Sequence, residues 1–209
     1  MAAGRNGTID ELAAAGKIRG KQRHRLADTQ GLPLHAVIRA VDSQDRDRGV
    51  LVSIGHTSAS HEQVEDVLDA GASMVTHLFN GMTGLHHRTP GVAASALTHP
   101  TAAASIIADS VHVHPRMIDL AFRLLGDDRG VLVTDAVGWR AGTVGPVRME
   151  LRDGAPRLAD GTLAGSALTM DTAVRVAVAA GVPLTRALRA ATANPSRLLG
   201  LADRGIIAV

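Results

Sequence analysis

Cysteine is absent from this chain of 209 residues, and aromatic residues are almost absent. Without cysteine there is neither a disulfide nor a thiolate ligand, so any metal must be bound by His, Asp or Glu. The only Phe and Trp residues are Phe79, Phe122 and Trp139, while Ala, Val and Leu supply most of the apolar side chains. The length is sufficient for one mid-sized domain with a core of small aliphatic residues.

Long apolar runs and a strong excess of one charge are also missing. No run approaches the roughly 20 apolar residues of a membrane-spanning helix, and the N-terminus lacks the apolar segment of a signal peptide. We therefore predict a cytoplasmic protein with no membrane partner. The formal net charge is only +2, which gives no general reason to expect nucleic acid. One basic run, 17–25, is interpreted as a solvated stretch, with nucleic-acid or membrane-surface contact as the less favoured alternative.

Patterns typical of helices and strands alternate from Pro33 onward. Apolar residues at helical spacing from Leu34 to Val41 predict a first helix. Four short apolar runs predict buried parallel strands at 50–54, 74–76, 105–108 and 131–134. A candidate capping box of Ser60 and Gln63 opens a predicted helix, and Pro115 opens another. Besides the first helix, the sequence predicts helices at 60–71, 115–124, 168–180 and 184–193.

Alternating strands and helices with short connections form a parallel sheet that is covered by helices. Beyond the fourth strand, 147–151 and 155–158 flank a polar turn and predict an inserted β-hairpin. Residues 1–32 do not join this rhythm, because 16–31 is polar, basic and without strand character. We therefore predict an α/β domain over 33–205, preceded by an irregular or poorly ordered segment over 1–32.

Polar side chains follow all four predicted strands. His56, His77 and Asp135 come after the first, second and fourth strands, and Asp109 with His112 follows the third. The carboxyl ends of parallel strands open on one face of a sheet, so we predict that these side chains share one pocket. A single His is more often a loop or core residue, and an Asp there is often a helix N-cap. Four such strand ends in register favour a functional site.

The residue types at these strand ends indicate metal-assisted chemistry. His56 and His77 are the natural metal pair, because neutral imidazoles suit Zn²⁺ or Fe²⁺. Asp135 fits a general base that accepts a proton from water and passes it to a leaving nitrogen. His112 either polarises or orients a carbonyl or holds a hydroxyl.

Three loops offer groups for an anionic ligand. Arg88 is a candidate phosphate clamp, and its alternative is a solvated loop arginine. Asn80-Gly81 allows the backbone to approach a ligand closely. The Gly-rich loop 161–166 offers backbone donors ahead of a helix, although a tight turn also explains it.

Six segments occur together in an order that is typical of one family. They read GHT at 55–57, THLFNGM at 76–82, RTPG at 88–91, IADSVHV at 107–113, LVTDA at 132–136 and GTLAGSALTM at 161–170. In this order and spacing, over roughly 33–205, the chain resembles the N-acetylglucosamine-6-phosphate deacetylases of the amidohydrolase superfamily. The resemblance implies a metal-dependent hydrolase that converts a phosphorylated N-acetylated amino sugar into glucosamine 6-phosphate and acetate.

The resemblance also implies roles for the strand-end residues. His56 and His77 would bind the catalytic divalent metal. Asp135 would activate the hydrolytic water and protonate the departing amine. His112 would contact the substrate near the acetamido carbonyl.

Substrate contacts from the loops are implied in the same way. Asn80-Gly81 and Arg88 would hold the phosphate, and Arg88 would do so across the interface of a homodimer, in the neighbouring subunit. The sugar pocket would be lined by Leu163, Ala164 and Gly165.

Two features of the family are missing from the sequence. The early His-x-His segment and the metal-binding glutamate in a Pro-Glu context do not occur upstream of His56. By the resemblance, the four strands are strands five to eight of a TIM-like (β/α) barrel, with flanking helices and an inserted β-hairpin after the last strand. We therefore expect a partial barrel in a truncated member, with weakened metal binding and with deacetylation impaired by truncation.

Two other functions stay open at this point. One is a catalytically inactive remnant that binds sugar phosphate or a partner subunit without turnover. The other keeps amidohydrolase chemistry but acts on a dihydropyrimidine or a dipeptide. Arg88 and Asn80-Gly81 argue against the second function, because those substrates need no phosphate cradle.

Overall fold

The computed structural model describes residues 51–140, 148–201 and 203–207, together with the backbone of 24–27, 33–36, 141, 143–144 and 147. The chain divides into two compact units, Met1–Ala102 and Ala103–Val209. Each unit contains a pair of parallel strands and the helices that connect them, so the predicted α/β class is confirmed. Within the described residues, none of the helices has the length and apolar character needed to cross a bilayer.

Two short strands near the N-terminus differ from the sequence prediction. β1 (His24–Ala27) and β2 (Pro33–Ala36) pair antiparallel. The predicted helix over 34–41 is therefore wrong for the residues of β2, and the lack of strand character predicted for 16–31 is wrong for β1. Four residues are too few for helical spacing to decide against a strand, and Pro33 takes the first strand position, where a missing N–H is tolerated. The rest of both segments lies outside the described residues.

The parallel strands of the first unit are short. β3 (Ser53–Ile54) and β4 (Met74–Val75) pair with Ser53 beside Met74. The N–H of Thr76 continues the ladder by donating to the carbonyl of Ile54 at 2.8 Å. Both strands lie within the predicted apolar runs, which confirms their positions, and each is shorter than its run.

α1 (His61–Asp69) connects β3 to β4 and begins at the predicted capping box. The Ser60 hydroxyl accepts the N–H of Gln63 at 3.4 Å, and the Gln63 side-chain oxygen accepts the N–H of Ser60 at 2.9 Å. The chain leaves the helix at Gly71, whose φ of 115° is a conformation that glycine adopts without steric cost. Both ends of this helix were therefore readable from local sequence.

α2 (Gly91–Thr98) is a helix that the sequence pattern does not reveal. Small and apolar residues occupy its whole circumference, and Val92, Ala93 and Ala96 are all 0% exposed. A helix that is apolar on every side has no one-sided period to detect and is typical of a buried position. The Thr83 hydroxyl accepts the N–H of Val92 at 3.2 Å, which satisfies one of the first N–H groups of the helix.

In the second unit, β5 (Ala103–Ile106) and β6 (Gly130–Leu132) pair in parallel and are joined by α3 (Pro115–Leu125). β5 begins two residues earlier than predicted, whereas α3 begins at the predicted proline. A Cβ added at Gly130 would lie 2.6 Å from the ring of Phe122. The ring of this buried aromatic residue therefore packs directly on β6, where only glycine leaves room for it.

Two antiparallel hairpins follow a short 3₁₀ helix, Trp139–Ala141. In the first hairpin β7 (Thr143–Val144) pairs with β8 (Val147–Arg148), and in the second β9 (Glu150–Arg152) pairs with β10 (Ala155–Arg157). Asp153 and Gly154 form the two-residue loop of the second hairpin with φ of 51° and 81°, as in a type I′ turn. The predicted hairpin is confirmed, but its predicted first strand is divided between β8 and β9.

Three helices complete the second unit, and all of them contact β6. They are α4 (Met170–Ala179), α5 (Leu184–Ala191) and α6 (Ala193–Leu198). The first two confirm the sequence prediction, and α6 is too short to give a clear helical period. The buried side chain of Asn194 donates to the carbonyls of Asp127 and Gly130 at 2.9 and 2.8 Å, which ties α6 to the start of β6.

Candidate functional site

Three of the predicted site residues share an unusual backbone conformation. His56 follows the end of β3 by two residues, His77 follows β4 by two, and Asp135 follows β6 by three. Their φ angles are 49°, 30° and 49°, in a region that non-glycine residues rarely adopt. Such conformations concentrate at functional sites, where the surrounding structure stabilises them. The backbone conformation at these strand ends therefore agrees with a functional role for the three residues.

His56 and His77 lie side by side in the first unit. Their ring centroids are 4.5 Å apart, and the ring planes meet at 83°. His77 is buried, whereas His56 is exposed. The structure thus brings together the two imidazoles that the sequence analysis paired, and the exposed ring keeps the pair open to solvent.

The orientation of His77 is fixed by a turn that the next residues form. Its Nδ1 lies 3.1 Å from the backbone oxygen of Asn80. Because a carbonyl only accepts, Nδ1 carries the proton, and in the neutral ring the lone pair is on Nε2. The Asn80 side chain in turn donates to the carbonyls of His77 and Leu78 at 3.3 and 3.2 Å. Asn80, for which the resemblance implies a phosphate contact, thus supports His77 in the structure.

Gly81 gives the ring of His56 the space that it occupies. A Cβ added at Gly81 would lie 2.7 Å from the His56 Nδ1, and the φ of this glycine is +61°. Any other residue would therefore be strained and would push against the ring. The sequence suggested a close approach of backbone to ligand at this position, and the structure places the His56 side chain there.

The donor chemistry of this pair fits a divalent transition-metal cation. Imidazole nitrogens are common ligands of such cations, and the Nδ1–H bond to a backbone carbonyl is the usual outer-shell support of a metal-binding His. Among the residues that the structure describes, no group of three or more His, Asp or Glu side chains has the geometry to hold a metal. The pair would therefore supply two ligands of the coordination shell.

The loop that carries Arg88 is organised by a histidine. His86 Nδ1 lies 3.3 Å from the backbone nitrogens of both Arg88 and Thr89 and 3.1 Å from the Thr89 hydroxyl. The rings of His86 and His87 are in contact, with centroids 4.4 Å apart. Arg88 itself is exposed. The role of His86 was missed by the sequence analysis, since a turn closed by a His side chain has no established sequence signal.

In the second unit, Asp109 and His112 form a closely bonded pair. His112 Nδ1 lies 2.5 Å from Asp109 Oδ2, and the two side chains are only 5% and 9% exposed. Burial by itself would raise the pKa of the Asp109 carboxyl, but hydrogen bonds from the His112 ring and from the backbone N–H groups of His112 and Val111 outweigh it. The pKa therefore lies below its ordinary value, and the carboxyl is ionised at neutral pH.

Asp135 is exposed, and the Gly-rich loop is bonded to the same stretch of backbone. The N–H of Ser166 donates to the carbonyl of Asp135 at 2.9 Å, and the N–H of Val137 donates to the carbonyl of Ser166 at 3.1 Å. The Ser166 hydroxyl also donates to the carbonyl of Thr134. These bonds hold the end of the 161–166 loop directly beside Asp135.

Gly165 is the closest approach between this loop and the Asp135 segment. A Cβ added there would lie 2.5 Å from Val137 Cγ1 and 2.9 Å from the Asp135 carbonyl oxygen. The other side of the loop is bonded to β10. Leu163 forms an isolated antiparallel bridge with Arg157, and the N–H of Ala164 donates to a carbonyl of β10 at 2.9 Å. The segment from Leu163 to Gly165 is therefore held between β10 and Asp135. Its predicted contact with a sugar stays a prediction.

Comparison with known proteins identifies the family of this chain. The sequence model of the Amidohydrolase family matches residues 31–209. The chain is 40% identical over 159 residues to the N-acetylglucosamine-6-phosphate deacetylase of Vibrio furnissii, covering 73% of this chain and 40% of that protein. It is also 40% identical over 162 residues to the N-acetylgalactosamine-6-phosphate deacetylase of Escherichia coli O157:H7, covering 75% of this chain and 43% of that protein. The chain thus spans about two fifths of the length of the curated relatives that it matches.

A solved structure shows the same likeness. A mutant N-acetyl-D-glucosamine-6-phosphate deacetylase from Mycobacterium smegmatis, in complex with N-acetyl-D-glucosamine-6-phosphate, is 36% identical, with a TM-score of 0.70 over 75% of this chain and 44% of that chain. The TIM-barrel fold of such neighbours agrees with the predicted partial (β/α) barrel. Members of the family are generally metal-dependent. Because the family match extends over residues 31–209, the chain belongs to the amidohydrolase family.

Proposed function

We propose that this protein is a deacetylase that hydrolyses N-acetylglucosamine 6-phosphate to glucosamine 6-phosphate and acetate. The observation that carries the proposal is the His56–His77 pair at the ends of two adjacent parallel strands. Support comes from the similarity to deacetylases of N-acetylated amino sugar phosphates, which extends over about three quarters of the chain. The amide bond of the acetamido group would be the bond that breaks.

His56 and His77 would hold a divalent cation, with Zn²⁺ or Fe²⁺ as the best match to imidazole ligands. His77 would use Nε2, because its Nδ1 donates to the Asn80 carbonyl. Such a cation supplies Lewis-acid polarisation of the acetamido carbonyl and of the attacking water. Burial of His77 and the glycine at 81 would keep the two rings in fixed orientations.

Asp135 would carry the proton between water and the leaving group. Its carboxylate would accept a proton from the attacking water while the water oxygen bonds to the acetyl carbon. The same carboxyl would then give that proton to the amino-sugar nitrogen as the carbon–nitrogen bond breaks. The exposed position of Asp135 supports this role, since the group must be reached by both water and substrate.

The remaining assignments concern substrate binding. His112 would contact the sugar near the acetamido group, and the backbone of the 163–165 loop would line the sugar pocket. Asn80-Gly81 and Arg88 would hold the phosphate, with Arg88 acting in the neighbouring subunit of a homodimer. The exposure of Arg88 is compatible with a contact of that kind. We place the protein in the cytoplasm, where sugar phosphates are metabolised.

A second candidate substrate is N-acetylgalactosamine 6-phosphate. It is favoured by the 40% identity to the Escherichia coli O157:H7 deacetylase named for that compound. The two sugars differ only in the configuration of one ring hydroxyl. Relative kcat/KM values for the two compounds therefore decide between these substrates without changing the proposed chemistry.

The purified chain, supplied with Zn²⁺ or Fe²⁺, should be tested for acetate release from both sugar phosphates and from N-acetylglucosamine without phosphate. We expect Asp135→Asn to lower kcat about 100- to 10,000-fold and His77→Ala to reduce the bound metal. Asp153→Asn is a matched control, because Asp153 is also exposed and has a φ of 51°. Asn tolerates such φ angles, so Asp135→Asn and Asp153→Asn should both keep the backbone conformation.

Two results would contradict the proposal, the first in its proton carrier and the second in its reaction. Undiminished turnover in Asp135→Asn would remove the proposed proton carrier. Binding of the sugar phosphate without acetate release, at full metal content, would instead support the inactive binding protein as the function.

A further inference from the structure

The two carboxylate oxygens of Asp109 have different partners. Oδ1 accepts the backbone N–H groups of Val111 and His112 at 2.9 and 2.7 Å, and so closes the loop after β5. Oδ2 lies 2.5 Å from Nδ1 of the His112 ring. One oxygen therefore shapes the loop, and the other is directed at the imidazole.

This arrangement determines which ring nitrogen of His112 carries the proton. The Asp109 carboxyl is ionised at neutral pH, as its hydrogen bonds require, and an ionised carboxylate only accepts hydrogen bonds. Nδ1 must therefore be the donor in the bond to Oδ2. In the neutral ring the lone pair is then on Nε2, the nitrogen remote from Asp109.

We propose that Asp109 is a positioning residue that fixes His112 in the Nδ1–H tautomer, so that Nε2 accepts a hydrogen bond from a donor group of the substrate. The proposal rests on the proposed function for the contact between His112 and an amino sugar. A ring in this tautomer does not donate to a carbonyl through Nε2. Of the roles open to His112 from the sequence, the bonding therefore favours holding a hydroxyl over polarising a carbonyl. The acetamido N–H is a further donor that the substrate offers to Nε2.

One variant separates this positioning role of Asp109 from a purely structural role, in which the residue would only keep the loop closed. In Asp109→Asn the side-chain oxygen should stay at the position of Oδ1, because two backbone N–H groups donate there. Only the ring of His112 lies at the position of Oδ2. The amide NH₂ then faces Nδ1 of His112 and donates to it. The ring proton must move to Nε2, which turns an acceptor into a donor while the loop stays closed. The same loss of the correct tautomer follows Asp-to-Asn replacement in serine proteases.

The control is a second Asp beside a His. His99 Nε2 and Asp69 Oδ1 are 3.8 Å apart, and the Asp69 side chain is 78% exposed. Asp69→Asn therefore makes the same chemical change at an exposed and longer contact, outside the proposed site. Its properties should match those of the unchanged protein.

The experiment uses the full chain with ¹⁵N-labelled histidine and its metal. We expect the ring ¹⁵N shifts to report Nδ1–H for His112 in the unchanged protein and in Asp69→Asn, and Nε2–H in Asp109→Asn. We expect kcat/KM for N-acetylglucosamine 6-phosphate to fall about 10- to 100-fold in Asp109→Asn, as is usual when a supporting carboxylate is lost. Thermal unfolding of each variant checks that the chain still folds.

Two outcomes overturn the inference: an Nε2–H ring in the unchanged protein, or a reversed tautomer in Asp109→Asn with unchanged kcat/KM. The tautomer is read without turnover, so failure of the proposed deacetylation is distinguishable from failure of this inference. If acetate release is absent, the Kd of the sugar phosphate replaces kcat/KM and must rise by the same factor. An unchanged Kd would overturn the role in substrate contact.

Discussion

His77 and His112 are both oriented through Nδ1, but their partners differ in kind. His77 is held by the backbone carbonyl of Asn80 at 3.1 Å, whereas His112 is held by the buried carboxylate of Asp109 at 2.5 Å. A carbonyl has no charge to lose, so the first arrangement depends on the conformation of a turn. The second depends on the ionisation of one side chain. The two regions should therefore fail under different changes.

The first region should be the more sensitive to steric change. We expect Gly81→Ala to weaken metal binding by about 100-fold, because the new Cβ meets the His56 Nδ1 at 2.7 Å and displaced support of a ligand costs up to that factor. The positive φ of this residue adds about 1–2 kcal/mol of strain. Metal titration of the apoprotein measures the first effect and thermal unfolding the second.

Gly84→Ala is the matched control for that change, since an added Cβ there meets nothing within 4 Å. It should keep the metal affinity of the unchanged protein. Equal metal affinity in Gly81→Ala and Gly84→Ala would show that the His56 ring does not depend on the space at 81.

The second region should be the more sensitive to pH. The pKa of Asp109 is lower in the folded chain than its ordinary value, so the ionised carboxyl stabilises the fold above about pH 4. That stabilisation is lost as the pH falls through the folded-state pKa. We expect Asp109→Asn to lower the free energy of unfolding by about 2 kcal/mol at pH 7 and the difference to shrink as the pH falls below about 4.

Urea unfolding of both proteins at a series of pH values measures this difference. Asp69→Asn provides the baseline, because its carboxyl is mostly exposed. A difference between Asp109→Asn and the unchanged protein that stays constant from pH 7 to pH 3 would contradict the role of the ionised carboxylate.

The smallest effect is expected for the Asn80 side chain. Asn80→Ala removes its bonds to the carbonyls of His77 and Leu78 but keeps the backbone carbonyl that binds His77 Nδ1. We expect a loss of about 1–2 kcal/mol in the free energy of unfolding, with the His77 tautomer unchanged in a ¹⁵N spectrum. A reversed tautomer would show that the side chain, rather than the backbone, holds the ring.

Features that depend on a few neighbouring residues were predictable from the sequence. The capping box of Ser60, the helix start at Pro115 and the Asp153-Gly154 turn each follow from local backbone chemistry. The apolar runs placed β3 to β6 to within about three residues, because burial on both faces of a parallel strand leaves a continuous apolar signal. Those runs also indicated where the polar strand-end residues would lie.

Features that depend on packing between distant segments were not predictable in this way. β2 is a strand because it pairs with β1, although the helical spacing from Leu34 to Val41 predicts a helix over its residues. α2 is apolar around its circumference and mostly buried, so it gives no one-sided periodic signal. The resemblance to deacetylases predicts the site residues, but it does not show what supports them. The need for glycine at 165, for example, comes from a loop that packs on Asp135 after about thirty intervening residues.

By itself, the sequence determined which residue types follow each strand and therefore which chemistry the strand ends offer. Only the tertiary structure decided which ring nitrogen of His77 and of His112 bears the proton and which glycines leave room for a site residue. The physical reason is range: residue order fixes local hydrogen bonds and burial patterns, whereas ring orientation depends on contacts of about 3 Å that packing alone creates.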